Sequence, residues 1–176
     1  MISVKRLTSE YLDNLDDINS VLDLGCATGR KSLRFAKKGI EVTGIDKREI
    51  EITQDNFTFV KEDIRKLDFK KNYDLIIVSL VLHFMKKEKA IETIQKTQKN
   101  TGLKGYNFFI CMSDQDNFSK EKPDNFYPTI EKLKELYHES KWKIVRSSQG
   151  FTDWEEHDNL PKHRHNLILL LARKVF

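Results

Sequence analysis

Tyr11, Leu12, Leu15 and Ile18 recur at helical spacing behind a Thr8-Ser9 cap, a pattern that predicts one amphipathic helix over 8–18. Past residue 20 the period changes. Apolar residues gather into short β-type runs at 21–24, 42–46, 57–61, 73–80, 106–112, 142–147 and 166–175, with helical stretches at 30–38, 86–100 and 129–140 between several of them. Gly39 stands where the first of these helices must stop, and Ile40 is placed to fold back on it as at a glycine C-cap. Leu75, Ile76, Ile77 and Val78 are apolar on both faces, which suits a central parallel strand covered by helices on each side. The alternation predicts an α/β fold, a doubly wound and mostly parallel seven-stranded sheet with helices on both faces. The connections 113–127 and 148–162 are long, and long loops in a compact domain are often functional.

Composition narrows the picture. A chain of 176 residues supports one core and is short for two ordinary domains, so a helical cap over 1–19 and a single domain over 20–176 are expected. The net charge is +4, and the pairs Lys37 and Lys38, Lys70 and Lys71, and Lys86 and Lys87 are scattered along the chain. Scattered lysines read as solvated surface and argue against a nucleic-acid partner. Cys26 and Cys111 each lie in an apolar or Gly-containing run, which is no disulfide framework. No apolar segment follows Met1, and no run approaches the ~20 residues that a bilayer needs. The expectation is a cytoplasmic protein without a membrane partner, a monomer or homodimer.

The most informative stretch is Val21-Leu22-Asp23-Leu24-Gly25-Cys26-Ala27-Thr28-Gly29-Arg30, an apolar strand that runs into a glycine-containing turn and a helix. Such a turn lets a ligand approach backbone N–H groups. A dinucleotide site wants a third glycine for close helix packing, and Arg30 stands there, which argues against NAD. Asp23 sits at the mouth where a pyrophosphate would lie. A carboxylate there repels phosphate and attracts ammonium and sulfonium charge. Asp46 ends the second strand at the distance where an acidic residue accepts hydrogen bonds from ribose hydroxyls. Either Asp alone would read as a turn or capping residue. Together they ask for a ligand with a ribose, positive charge and no diphosphate.

In order, D-L-G-C-A-T-G, G-I-D-K, K-E-D-I and Y-D-L-I-I-V-S resemble the cofactor motifs of class I S-adenosylmethionine (SAM)-dependent methyltransferases. The resemblance implies the Rossmann-like methyltransferase fold with its last strand antiparallel, and SAM as cofactor with S-adenosylhomocysteine (SAH) as product. It implies that Asp46, followed by Lys47, binds the ribose and that Asp63 and Ile64 lie beside the adenine. Gly25, Cys26 and Ala27 would cradle the methionine part, with Asp23 and Gly29 framing the loop, and Ser79 and Leu80 would line the methyl end. Two departures stand out: Ala27 replaces the usual middle glycine, and the stretch between Asp46 and Asp63 is short. G-Y-N-F-F-I-C-M-S, F-Y-P-T-I-E-K-L-K-E-L-Y and the terminal L-L-L-A-R-K are similar to the tellurite-resistance (TehB-like) branch, whose members methylate tellurite or related small anions or have no established substrate.

That resemblance implies methyl transfer to a small-molecule acceptor, with tellurite, selenite or a thiol as candidates. The alternatives are an RNA methyltransferase acting with a partner and a SAM-binding protein without catalysis. Enzymes of this class that methylate base amines carry an acidic or amide residue, two prolines and an aromatic after the fourth strand. Ser79-Leu80-Val81-Leu82 stands there instead, which argues against amino methylation of adenine, cytosine or protein glutamine. The catalytic candidates are His83, which follows the fourth strand, and His163 and His165, which share a face with Arg164 opposite if the last strand already begins there. Imidazoles titrate near neutrality and can hold an oxyanion or take a proton. Tyr11 reads as a packing residue of the first helix. His163 and His165 could supply two zinc ligands, but Cys26 and Cys111 have no useful spacing to them, and no metal site is assigned.

Overall fold

The computed structural model describes residues 4–69, 71–157 and 160–176. Its elements are α1 (Val4–Leu12), β1 (Ser20–Leu24), α2 (Leu33–Ala36), β2 (Glu41–Asp46), β3 (Phe57–Lys61), β4 (Tyr73–Ser79), α3 (Lys87–Lys99), β5 (Thr101–Met112), α4 (Phe118–Glu121), α5 (Ile130–Glu135), β6 (Trp142–Phe151), β7 (Glu155–His157), β8 (Leu160–His163) and β9 (Asn166–Lys174). Seven strands form one sheet in the order β3-β2-β1-β4-β5-β9-β6. Neighbours from β3 to β5 are parallel, and β9 runs antiparallel to both β5 and β6. The chain winds outward from β1 to β3 and then returns to place β4 on the other side of β1. That reversal opens a crevice at the carboxyl ends of β1 and β4, where ligands bind in sheets of this kind.

Alternating side chains of the central strands feed two cores. Leu22, Leu24, Ile76, Val78 and Phe109 pack with Ala90 and Ile94 of α3 and Leu133 of α5 on one face. Val21, Leu75, Ile77, Phe108 and Leu169 pack with Tyr11 and Leu12 of α1 and Phe35 of α2 on the other. The period of two makes this division. It explains why 75–78 must be apolar throughout.

Several boundaries move for local reasons. α1 occupies Val4–Leu12 rather than 8–18: the Asp- and Asn-rich stretch 13–17 is of residue types that favour turns over helix interiors, and Asp17 turns to a φ of +58°. Tyr11, Leu12 and Ile18 are buried nonetheless. The helix after the glycine loop shortens to Leu33–Ala36, and Gly39 closes it as expected, at a φ of +81° with the Ile40 N–H donating to Phe35 O. β5 begins at Thr101 instead of 106 because a shift in pairing register takes in the turn around Gly105. A Cβ at Gly105 would lie 2.9 Å from Asp74 O, so only glycine clears this approach. α5 starts at the predicted place, where Thr129 Oγ1 accepts from Lys132 N at 3.0 Å.

The largest departure is at 148–162. Its described residues, all but 158 and 159, are mostly paired backbone, not an open loop: β6 continues along β9 as far as Phe151, and β7 and β8 pair antiparallel. Extended pairing supplies backbone partners where the side chains show no alternation. The last strand begins only at Asn166, so His163 ends β8 and His165 lies in the link to β9.

Candidate functional site

The glycine turn is latched to the neighbouring strand by its own backbone. Gly25 N–H and Cys26 N–H both donate to Ile45 O, at 2.7 and 3.0 Å, and Ala27 N–H donates to Asp46 Oδ2 at 3.0 Å. Gly25 has a φ of +70°, and a Cβ there would meet Val81 Cγ2 at 2.9 Å. Ala27 holds a φ of +46°, the left-handed region that glycine enters without cost, which accounts physically for the usual glycine at this place.

Asp23, Gly25, Cys26, Ala27, Asp46, Lys47, Asp63, Ile64, Ser79 and Leu80 line one cavity of about 780 Å³ at the carboxyl ends of the strands. Gly29 does not line it. Its α-carbon faces Ile52, Phe57 and Leu33, with an added Cβ only 3.2 to 3.3 Å from them, so its part is to let the turn pack at a φ of +68°. Sequence reasoning missed Arg48, Arg65, Lys31 and Phe84, which also line the cavity. An acidic residue followed two positions later by Arg, as in Asp46-Lys47-Arg48 and Asp63-Ile64-Arg65, was the available signal.

The three carboxylates are tuned differently. Asp46 accepts from the Arg48 N–H at 3.0 Å and from its guanidinium at 3.1 and 3.3 Å. Burial pushes its pKa up, but these bonds and that from Ala27 outweigh burial and hold it below the ordinary 3.8. Asp63 is held at about 2, chiefly by the Arg65 guanidinium, which reaches it at 2.5 Å. Asp23 is 2% exposed, and burial pushes it up to about 6 even though Ser32 Oγ donates to it at 2.6 Å. Lys31 beside it offsets only part of that burial, so an ionised Asp23 favours a further cation near it. Burial pushes Cys26 up to about 12, so its thiol is a protonated wall of the cavity.

The methyl end expected at Ser79 and Leu80 carries backbone strain and an unmatched hydroxyl. Leu80 has a φ of +52°, and Ser79 Oγ is buried without a hydrogen-bond partner among the described residues. Phe84, 66% exposed, separates this cavity from a second one of about 250 Å³ that it also lines. The second cavity brings together all three histidine candidates, His83, His163 and His165, with Met112, Phe118, Lys122 and Tyr127.

His83 is buried against Phe84, with ring centroids 4.0 Å apart, and its Nδ1 lacks a hydrogen-bond partner among the described residues. Burial lowers its pKa to about 4, so it is neutral near pH 7. His165 Nδ1 lies 3.2 Å from Asp116 Oδ2, and its ring stacks on Phe118 at 5.5 Å. That hydrogen bond, more than the opposing burial, raises the His165 pKa. Arg164 points away from the cavity, its guanidinium 4.2 Å from the Phe151 ring and 5.1 Å from that of Trp154. The cation facing the cavity is therefore Lys122. Tyr11 belongs to the core, its hydroxyl 2.9 Å from Ser148 Oγ.

Sheet order, the crevice at the point of reversal and the strand-end carboxylates around one cavity define a Rossmann-like methyltransferase domain. Comparison with known proteins agrees. Residues 4–163 match the family described as tellurite resistance protein TehB, and the chain belongs to that family. A probable S-adenosyl-L-methionine-dependent methyltransferase TehB of Haemophilus influenzae (strain 10810) is 30% identical over 164 residues, which cover 88% of this chain and 57% of that protein. The crystal structure of TehB from Haemophilus influenzae is similar with a TM-score of 0.78 at 22% identity, over 99% of this chain and 63% of that one. N-methyltransferase NodS from Bradyrhizobium japonicum WM9, in complex with SAH, is similar with a TM-score of 0.69 at 17% identity, over 97% and 84%. The chain thus spans a little over half the length of the curated TehB relatives it matches. No described helix is long and apolar enough to cross a membrane.

Proposed function

We propose that this chain transfers the methyl group of SAM to a small anionic or thiol acceptor, with tellurite and selenite as the first candidates. The observation that carries the reading is the junction of the two cavities at Phe84, where Ser79 and Leu80 face one side and His83 faces the other. SAM supplies an electrophilic methyl group on a sulfonium. Asp46 accepts hydrogen bonds from the ribose hydroxyls once Arg48 swings aside, Asp63 and Ile64 take the adenine end, and ionised Asp23 offsets the ligand's positive charge. Lys31, beside Asp23, is placed to meet the methionine carboxylate.

In-line displacement draws mainly on positioning, worth roughly 7–11 kcal/mol, whereas a general base adds about 10²- to 10⁴-fold. A small oxyanion or thiolate needs the first more than the second. Lys122 and the ring N–H of His165, oriented by Asp116, hold the negative acceptor, and neutral His83 can donate or accept one hydrogen bond at the methyl side. The test is SAH release from SAM in the presence of tellurite, selenite, thiols and phenols. His165→Ala and His83→Ala should each lower turnover at least about tenfold with SAH affinity unchanged. Absence of acceptor-dependent SAH release across this set would sink the proposal and leave a SAM-binding protein without this activity.

A further inference from the structure

One end of the second cavity carries a side-chain cluster that methyl transfer does not require. Glu155 of β7 and His163 of β8 are direct register partners, and His165 follows two residues later. Directly opposed residues present their side chains on one face of a two-stranded ribbon. One carboxylate oxygen of Glu155 and one ring nitrogen each of His163 and His165 all lie within 4.8 Å of one another, and the three residues are half-buried.

Groups outside the cluster orient both rings. His163 Nδ1 lies 2.9 Å from Pro161 O, and His165 Nδ1 lies 3.2 Å from Asp116 Oδ2. A carbonyl can only accept, so Nδ1 of His163 carries its hydrogen and the lone pair of the neutral ring is on Nε2. Asp116 is 1% exposed and also accepts from the Phe118 and Asn166 N–H groups at 3.0 and 2.8 Å, so it is a fixed acceptor behind His165. A carbonyl or a carboxylate behind each imidazole is the arrangement that fixes the tautomer and orientation of metal-ligating histidines.

We infer that Glu155, His163 and His165 form a binding site for a divalent first-row transition ion of the zinc or cobalt type. Two imidazoles and one carboxylate suit such an ion, whereas calcium and magnesium prefer all-oxygen shells. Bonds of about 2.1 Å in tetrahedral geometry put ligand atoms about 3.4 Å apart, so side-chain rotations that draw the widest pair in by roughly 1.4 Å complete the site. Three protein ligands leave a fourth position, and that position opens toward the cavity lined by His163 and His165. The ion ties the β7–β8 pair to the start of β9. It also takes the ring nitrogen of His165 that would otherwise carry a proton toward an anionic acceptor, so metal and acceptor compete. The site itself stands independently of the acceptor reading, because its occupancy is measured without SAM or an acceptor.

The test is titration of the full chain, free of any histidine tag, with Co²⁺, read by the visible absorption of low-coordinate cobalt and by displacement with Zn²⁺. One equivalent should bind. Glu155→Gln and His163→Ala should each weaken uptake at least about tenfold, and Asp116→Asn should weaken it about ten- to hundredfold through the orientation of His165. Thermal melting with and without Zn²⁺ guards against misfolding. Wild type should gain stability from the ion, and a folded Glu155→Gln protein should gain much less. No uptake, or uptake equal in wild type, Glu155→Gln and His163→Ala, overturns the inference.

Discussion

The two cavities meet at Phe84 but are assembled differently. The larger cavity, where we propose that SAM binds, is walled by the ends of adjacent parallel strands, with Asp23 in β1, Asp46 at the end of β2, Asp63 just past β3 and Ser79 at the end of β4. Each of its three carboxylates already has a partner close by in sequence: Ser32 for Asp23, nine residues on, and Arg48 for Asp46 and Arg65 for Asp63, each two residues on. The smaller cavity, the proposed acceptor site, collects His83, Met112, Phe118, Tyr127, His163 and His165 from segments spread over half the chain. Among the described residues its side of the junction leaves His83 Nδ1 unmatched, as Ser79 Oγ is on the other side. A parallel sheet sets the first cavity by its own geometry, while the second depends on how later segments dock onto the sheet.

The sharpest test of that separation is Asp46→Ala. Hydrogen bonds to a charged acceptor are worth about 1.5–3 kcal/mol, so SAH should bind about ten- to hundredfold more weakly, measured by calorimetry. The acceptor cavity should be untouched, with turnover at saturating SAM close to wild type. Unchanged SAH affinity would take Asp46 out of the site, and a large loss of turnover at saturation would show that the cavities do not act separately.

A smaller effect should appear with pH. Asp23 has a folded pKa raised to about 6, above the ordinary 3.8, so in the ligand-free protein its ionisation opposes folding above about pH 6 and acidification toward pH 4 relieves that cost. The two values differ by the equivalent of roughly 3 kcal/mol. Ligand binding has the opposite sign, because the ammonium of SAH favours the carboxylate. Affinity should therefore hold above pH 6 and fall as pH drops through it, to about tenfold weaker at pH 5. Asp23→Asn should bind more weakly at pH 7 and show a flat profile between pH 5 and 7. A sloping profile in that variant would assign the titration to another group.

The smallest expected change concerns Arg48. Its side chain is 64% exposed, so the ion pair with Asp46 is worth at most about 1 kcal/mol. Because the guanidinium competes with the ribose for the same oxygens, Arg48→Ala should tighten SAH up to about fivefold. Weaker binding would mean that Arg48 turns to the ligand instead of yielding to it.

Much of the cofactor end was legible in the chain because each of its determinants is local. Strand period, a turn that demands left-handed backbone at residues 25, 27 and 29, and an acidic residue at a strand end all act over a few positions. Gly39 and Thr129 marked helix ends for the same reason. By contrast, the direction of Gly29 toward Ile52 and Phe57 depends on where residues between β2 and β3 pack. The guanidiniums on Asp46 and Asp63 were within reach of a local argument but lay outside the motif.

By itself, then, the sequence determined the class of sheet, the order of the carboxylates that line the larger cavity and the absence of the proline-containing motif used for base-amine methylation. Only tertiary structure decided that His83 faces His165 across one cavity, that Arg164 stacks on Phe151 and Trp154, and that Glu155 opposes His163. The physical reason is range. Backbone dihedrals and side-chain periods are set by neighbours within one turn or one strand, whereas those pairings depend on strand insertion, with β9 entering between β5 and β6, pairing residues 148–151 and leaving β7 and β8 to pair beside the site.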